Sequence, residues 1–204
     1  MKWFSFLVLF LLCAQDSLTQ KLYVWCPKDQ EIKARAGFLN HDTINLSIFD
    51  GRILTKNSKI ECDANDILSS LALIIKQAYP SAFINVLGDS GYYADPSLDR
   101  ITLKIGIAAF HAGFGLDISV GIGSFGGKFA YGAFPKGEWN GITGYYVRLY
   151  DNRSGKDQKF TSSISKVSSK PNMWGYKTAK DCLNTTYIEA NQELLFFIDN
   201  NLTK

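Results

Sequence analysis

The sequence predicts an α+β fold, a two-layer sandwich in which two amphipathic helices cover one face of a mainly antiparallel sheet with a glycine-rich β-hairpin insertion. Two patterns predict this fold. Several segments alternate apolar and polar residues, as strands with one buried face do, and two longer segments repeat apolar residues at the spacing of one helical face. Hydrophobic residues make up 46% of the 204 residues, which is sufficient for the core of one domain.

The first fourteen residues have the form of a secretory signal peptide. Lys2 precedes a short apolar run that ends at small and polar residues near Ala14. Such a run is too short to cross a bilayer as a stable helix, which needs about 20 residues. We therefore expect residues 1–14 to be removed on export. Lipid attachment at Cys13 is the alternative, although a lipobox has a small residue where this chain has Leu12.

Two further segments complete the predicted domain organisation. Residues 15–42 form an N-terminal segment without a clear pattern, and residues 43–204 form a single α+β domain with a glycine-rich insertion at 111–141. The formal net charge of +3 is spread along the chain without a lysine or arginine block, so we expect no nucleic-acid partner. No second apolar run is long enough for a transmembrane helix, so any membrane association must use another route.

Three cysteines remain after removal of the signal peptide. In an oxidising compartment Cys26 and Cys62 can form a disulfide, with Cys182 buried on a helix. The alternative is that all three are separate buried thiols. No Cys-x-x-Cys or cysteine–histidine spacing is present, so the sequence predicts no zinc site.

The first predicted strand is Thr43–Phe49, which alternates apolar and polar residues and ends at Asp50–Gly51–Arg52. A helix follows between Cys62 and Pro80, with Asp63 as its N-cap. Cys62, Asp63 and Asp66 could be read as a metal site, but helix capping explains both acids. The residues predicted to face the core are Ile44, Leu46 and Ile48 on the strand and Ile67, Leu71, Ile74, Ile75 and Ala78 on the helix.

Four more strands and a second helix complete the predicted elements. A short strand covers Ala82–Leu87, and a longer one covers Arg100–Phe110. Gly144–Tyr150 and Gln158–Val167 are predicted to pair across the turn Asp151–Lys156. The inward residues of the longer strand are Ile101, Leu103, Ile105 and Ile107.

The last predicted element is a long amphipathic helix over Lys177–Asp199, with Thr178 as its N-cap. Its core-facing residues are Leu183, Tyr187, Ala190, Leu194 and Ile198. With the first helix it can cover one face of the sheet.

Residues Gly88–Gly91 spell GDSG, which frames the nucleophilic serine in two families of hydrolase. A serine hydroxyl needs an adjacent base to become nucleophilic. Only His41 precedes Ser90, in a segment unlike the histidine motif of the chymotrypsin-like family. Only His111 follows, without the late Asp-x-x-His of the lipase-like family. The sequence therefore favours a polar turn between strands.

Other candidate chemistry has ordinary explanations. Asp89 with Asp95 or Asp99 resembles a carboxylate pair, but solvated acids in a loop account for them. Gly121–Gly126 approximates a dinucleotide-binding motif, yet no strand–turn–helix surrounds it and no acid follows at the expected distance. We predict no catalytic, cofactor-binding or metal-binding residues, and no cofactor.

The arrangement of these elements resembles that of the YajG-like lipoproteins of bacterial envelopes, over residues 43–200. Ile44–Arg52 is similar to the opening strand of that family, Ile67–Tyr79 to its helix, Ile101–Ala109 to its long strand, and Tyr145–Tyr150 to its hairpin. The resemblance implies a non-catalytic protein of the periplasm or the outer-membrane periphery that works by protein–protein binding, with no catalytic residues to carry over. A poor lipobox and a long glycine-rich tract depart from the family pattern.

Two other functions remain open. Phe114–Gly123 and Lys128–Phe134 have the alternation and length of a membrane β-hairpin, and such hairpins occur in the curli-secretion pore subunits. An oligomeric outer-membrane subunit would insert this hairpin, at residues 113–134, and would have to oligomerise to close its edges. The third and least favoured hypothesis is a serine hydrolase that uses Ser90.

Overall fold

The computed structural model describes most of the chain after the predicted signal peptide. The described residues are 21–54, 56–115, 120–122, 128–130, 137–155 and 158–202. The predicted cleavage at Ala14 and the lipidation alternative at Cys13 lie outside these residues, as does most of the predicted hairpin.

Nine strands and three helices occur within the described residues. The strands are β1 (Leu22–Val24), β2 (Thr43–Asp50), β3 (Lys59–Ile60), β4 (Phe83–Leu87), β5 (Ile101–Phe114), β6 (Val120–Ile122), β7 (Lys128–Ala130), β8 (Glu138–Asp151) and β9 (Gln158–Pro171). The helices are α1 (Ala64–Ala78), α2 (Asp89–Tyr93) and α3 (Tyr176–Leu202).

Seven of these strands form one mixed sheet with β5 at its centre. One side of β5 pairs with β8 along its whole length, and β9 pairs beyond β8. The other side pairs first with β2 and then, past the middle of β5, with β1. Strand β4 lies outside β2, and β3 lies outside β1.

The predicted α+β class is confirmed, but the sheet is mixed where a mainly antiparallel one was expected. Strands β4, β2 and β5 are mutually parallel neighbours, whereas β8, β9 and β1 pair antiparallel. The reason is the connection through α1, since a helix between two neighbouring strands carries the chain back to the starting edge and makes the strands parallel. Alternation of apolar residues indicates which face of a strand is buried, but it does not indicate strand direction.

The main core lies between one face of this sheet and helices α1 and α3. Every residue predicted to face the core from the first strand, the first helix and the longer strand is buried. The five residues predicted for the last helix are also buried. Helix α3 lies close against β8 at Gly141, where an added Cβ would lie 2.5 Å from the backbone carbon of Cys182.

The segment between residues 21 and 42 contributes to the same core. Tyr23, Val24 and Trp25 are buried in or beside β1, and Leu39 is 6% exposed. A disulfide joins Cys26 to Cys62 just before α1, so one of the two cysteine alternatives is found. The third cysteine, Cys182, is a buried thiol on α3, and burial raises its pKa.

The two long helices begin differently from one another. The Asp63 side chain accepts a hydrogen bond from the Asn65 N–H at 2.9 Å, which confirms the predicted N-cap of α1. Thr178 is not the N-cap of the last helix, because α3 begins earlier, at Tyr176. Its hydroxyl instead accepts a hydrogen bond from the Trp174 N–H at 3.1 Å and fixes the turn before the helix.

Candidate functional site

Strand β4 is one edge of the sheet, and its outer side has no strand partner among the residues that the structure describes. Phe83 donates its backbone N–H to the Asp42 carbonyl at 2.8 Å, on the side of β2. Because successive residues of a strand direct their backbone groups to opposite sides, Ile84 and Val86 direct theirs to the outer side. This edge therefore presents backbone donors and acceptors that a further strand can bind.

A groove of about 560 Å³ lies between β4 and α1, and we call it the β4 groove. Two of its apolar side chains are open to solvent, since Leu73 is 51% exposed and Val86 is 47% exposed. Val86 lies on the helix-covered face of the sheet, beside Leu46, at a point where α1 does not cover it. The remaining apolar lining is Ile48, Leu68, Ala72 and Leu87.

The size and charge of the β4 groove suit a short extended peptide. The flank of α1 that lines it runs from Asn65 to Lys76, about 17 Å at 1.5 Å per residue, and about five extended residues cover that length. Helix α1 runs antiparallel to β4, because it connects two parallel strands. Lys76 therefore lies near the start of β4, and Asp89 follows its end. Apolar side chains line most of the groove together with the polar Asn65 and Ser69, and one charged residue lies at each end.

This arrangement is typical of peptide binding by strand addition. In that mode the main chain of the peptide pairs with an exposed sheet edge, and alternate side chains enter a neighbouring groove. The edge at Ile84 and Val86 provides the main-chain partners, and the β4 groove provides the apolar surface.

Ser90 and His41 lie at opposite ends of β4. The His41 N–H donates to the Ser81 carbonyl at 3.1 Å, before β4 begins, whereas Ser90 follows its last residue. Five residues of extended strand separate these points by about 16 Å. The imidazole of His41 is therefore out of hydrogen-bonding reach of the Ser90 hydroxyl.

His111 is also remote from Ser90. The residue after Ser90, Gly91, packs so close to Ser47 that an added Cβ would lie 2.7 Å from its hydroxyl oxygen. Ser47 pairs with Lys104 in β5, and His111 lies seven residues farther along that strand, about 23 Å away. Neither histidine can therefore serve Ser90 as a base.

The expectation that GDSG is a simple turn is wrong in one respect. Asp89–Tyr93 forms the short helix α2, with Gly88 before its first residue. The physical reason is the small size of Gly91, which lets α2 lie against Leu87 and Ser47. An added Cβ at Gly91 would be 2.6 Å from the Leu87 Cβ. Ser90 itself is exposed on this helix.

The other predicted or possible sites have structural roles. Cys26, Cys62 and Asp66 place potential metal ligands within 4.8 Å of one another, but both sulfur atoms belong to the disulfide and are not thiolate ligands. The Asp99 carboxylate accepts a hydrogen bond from the Ser97 hydroxyl at 2.8 Å and pairs with Arg100 at 3.6 Å. This loop acid is therefore held within its own segment.

One buried cation, Lys104, and one half-buried cation, Arg148, hold residues 88–100 on the face of the sheet opposite the helices. Lys104 is 3% exposed and donates a hydrogen bond to the Ala94 carbonyl. Burial, and then the adjacent Arg148, lower its pKa. The Arg148 guanidinium lies 5.0 Å from the centre of the Tyr92 ring. Burial is the largest single effect and opposes its charge, but hydrogen bonding and electrostatic attraction from Tyr92 and Tyr150 together raise its pKa.

The glycine-rich insertion is described in part. β6 and β7 pair antiparallel, with Val120 opposite Ala130, and residues 116–119, 123–127 and 131–136 lie outside the described residues. Gly121 belongs to β6, and most of the dinucleotide-like motif falls in the segments not described. No helix in the described part of the chain combines the length and apolar character needed to span a bilayer.

The β4 groove was not predicted from the sequence. Leu73 lies outside the core-facing positions of α1, and an apolar residue on the opposite flank of an amphipathic helix is the available indication of a second contact surface. Nothing in the sequence around Val86 indicated that its side chain lies on such a surface. Its exposure depends on where α1 ends relative to β4, which is a tertiary property.

No protein-family model and no curated protein matches the sequence. Solved structures that match this chain include protein XCC0632 from Xanthomonas campestris, 8% identical over 87% of this chain and 97% of that chain, with a TM-score of 0.47. The hypothetical protein CT253 from Chlamydia trachomatis is 7% identical over 78% of this chain and 96% of that chain, with a TM-score of 0.48. Lipoprotein GNA1162 from Neisseria meningitidis is 11% identical over 75% and 97% of the two chains, with a TM-score of 0.37. Similarities this low do not identify a family or a function.

Proposed function

We propose that the protein is an exported, non-enzymatic accessory protein of the bacterial envelope that binds an extended segment of a partner protein at the edge of β4. The observation that carries this proposal is the β4 edge, which no other strand of the described ranges pairs with, beside a largely apolar groove of about 560 Å³. A peptide strand added there would gain main-chain hydrogen bonds and would bury the exposed side chains of Leu73 and Val86.

Export is supported by two independent features. The first fourteen residues have the charge and apolar run of a signal peptide. A disulfide joins Cys26 to Cys62, and structural disulfides persist in oxidising compartments such as the periplasm. The proposed location is therefore the periplasm or the outer-membrane periphery. The resemblance to YajG-like proteins over residues 43–200 implies the same location.

A binding role is favoured over hydrolysis by the position of Ser90. The strand geometry separates its hydroxyl from His41 and His111, and a serine without an adjacent base is a weak nucleophile. A fluorophosphonate probe that labels the wild-type protein but not Ser90→Ala would contradict the proposal.

The proposal is tested by crosslinking in intact envelopes of cells that export the full chain. Leu73→Lys and Val86→Lys place a charge in the β4 groove, where a desolvated lysine opposes peptide binding. We expect either variant to lower the yield of a stoichiometric crosslinked partner by roughly tenfold.

Leu98→Lys is the matched control, because Leu98 is 82% exposed and lies outside the β4 groove. It should retain the wild-type yield. Recovery of the same partner in the same amount from all three variants would place the binding surface elsewhere. If the wild type yields only uncrosslinked monomer, a binding role is contradicted.

A further inference from the structure

One end of the sheet displays several large apolar side chains to solvent. β5 ends there at Phe114, and β9 continues through residues 172–175 into α3. Met173 is 73% exposed, Trp174 is 71% exposed and Tyr176 is 50% exposed. Phe114 is 42% exposed beside them. We call these four residues the aromatic end.

The aromatic end stands on a packed base of rings. Tyr176 lies 5.2 Å from Tyr23 and 5.8 Å from Trp139, measured between ring centres. Trp139 donates its indole N–H to the Asn172 side chain at 3.1 Å, which anchors the loop that carries Met173. The exposed side chains are therefore held outward by a defined turn. They do not belong to an exposed chain terminus.

Lysines surround the aromatic end. The Lys21 ammonium lies 5.4 Å from the centre of the Tyr23 ring, and the Lys180 ammonium lies 5.2 Å from that of Trp25. Lys170 and Lys177 are exposed at the end of β9 and the start of α3. Neither forms an ion pair with a residue of the described ranges. The fifth lysine, Lys59, and Lys180 both pair with Glu61, at 2.7 Å and 4.0 Å.

We propose that the aromatic end, with Lys21, Lys170 and Lys177, docks onto an anionic phospholipid surface. Tryptophan, tyrosine and apolar side chains combined with lysine are the composition that favours the bilayer interface. Lysines near an anionic leaflet are attracted to it. A protein interface is the less suitable occupant, since lysine is depleted from such interfaces.

The aromatic end lies away from the β4 groove. The β4 groove lies beside the other half of β5, where β2 and β4 pair, so lipid docking leaves it open to a partner.

The test uses tryptophan fluorescence of the chain from Gln15 onward, which is the exported form that the predicted cleavage leaves and which lacks Trp3. Trp25 and Trp139 are 7% and 5% exposed, so Trp174 reports contact with lipid. Vesicles of phosphatidylglycerol and brominated phosphatidylcholine should shift its emission to shorter wavelength and quench it, and the additional Trp174→Ser change should abolish both effects. Sedimentation of the chain with vesicles while the Trp174 emission stays unchanged would overturn the proposal.

Partitioning of the protein into vesicles measures the contribution of the apolar side chains separately from that of the lysines. Met173→Ser with Trp174→Ser should lower the partition coefficient about tenfold or more. Lys170→Gln with Lys177→Gln should lower it about fivefold per lysine on anionic vesicles and leave it unchanged on phosphatidylcholine alone. Equal binding of the wild type to both kinds of vesicle would overturn the proposed charge recognition.

Phe196→Ser and Lys33→Gln are the matched controls. Phe196 is 63% exposed but lies twenty residues along α3 from Tyr176, about 30 Å away. Lys33 is exposed next to Arg35, which pairs with Asp199 near the far end of the same helix. Both controls should partition as the wild type does, and a loss equal to that of the test variants would overturn the assignment to the aromatic end.

Discussion

Gly141 is a residue of β8 against which helix α3 packs closely. An added Cβ would lie 2.5 Å from the backbone carbon of Cys182 and 2.5 Å from the backbone nitrogen of Leu183. Since these are backbone atoms, the helix has to move to accept a methyl group. We expect Gly141→Ala to lower the free energy of unfolding by about 3 kcal/mol, as measured by urea denaturation.

Gly88→Ala is the comparison for this substitution. Gly88 has φ of −68° and no atom within 4 Å of an added Cβ, so we expect a loss below about 1 kcal/mol. Equal losses for the two variants would show that the approach of α3 to Gly141 is not tight.

Lys104 is a buried cation beside Arg148, and its pKa is lowered by burial and by that neighbour. We expect Lys104→Met to raise the free energy of unfolding by about 1 kcal/mol near neutral pH, because desolvating the ammonium costs more than its hydrogen bond to Ala94 contributes. The size of this stability gain should also depend on pH.

Between the lowered pKa of the folded state and the ordinary value of 10.5, the unfolded chain binds more protons at Lys104 than the folded chain does. The stability of the wild type therefore rises with pH over that window. The gain in the free energy of unfolding of Lys104→Met over the wild type should therefore shrink as the pH rises toward 10.5. A gain that grows with pH would contradict a lowered pKa at Lys104.

At the scale of elements, the disulfide joins the segment after β1 to the start of α1. Cys26 and Cys62 are separated by 36 residues, and closing a loop of that length reduces the entropy of the unfolded chain. We expect Cys26→Ser with Cys62→Ser to lower the free energy of unfolding by about 3 to 4 kcal/mol in denaturant titrations.

Dithiothreitol is the control for this effect. It should lower the stability of the wild type toward that of the double variant and leave the double variant unchanged. A reductant effect of equal size on both proteins would assign the loss to something other than the disulfide.

The sequence predicted elements better than their arrangement. Alternation at Ile44, Leu46 and Ile48 and helical spacing from Ile67 to Ala78 report local burial, and these residues are buried. The parallel pairing of β2 with β4 and β5 depends on the path of the chain around α1, and no local pattern records that path. The short β1 and β3 were missed because strands of three and two residues are too brief to show a period.

At the scale of the whole molecule, the candidate surfaces arise where elements end. Val86 is exposed because α1 does not cover β4 completely, and Trp174 is exposed because the turn from β9 into α3 points outward. The resemblance implied protein–protein binding, but the edge at β4 and its groove could be assigned only from the fold. In contrast, the order of residues along the chain was enough to argue that neither His41 nor His111 activates Ser90, before the structure showed where they lie.

Binding by strand addition at β4 is tested most directly by residue-resolved amide hydrogen exchange, with and without the partner recovered by crosslinking. In the protein alone, the outward amides of Ile84 and Val86 should exchange fast, whereas those of Asn85 and Leu87 should be protected by β2. The partner should slow exchange at Ile84 and Val86 at least about tenfold. Fast exchange at both residues in the complex, or full protection of both in the protein alone, would contradict binding at this edge.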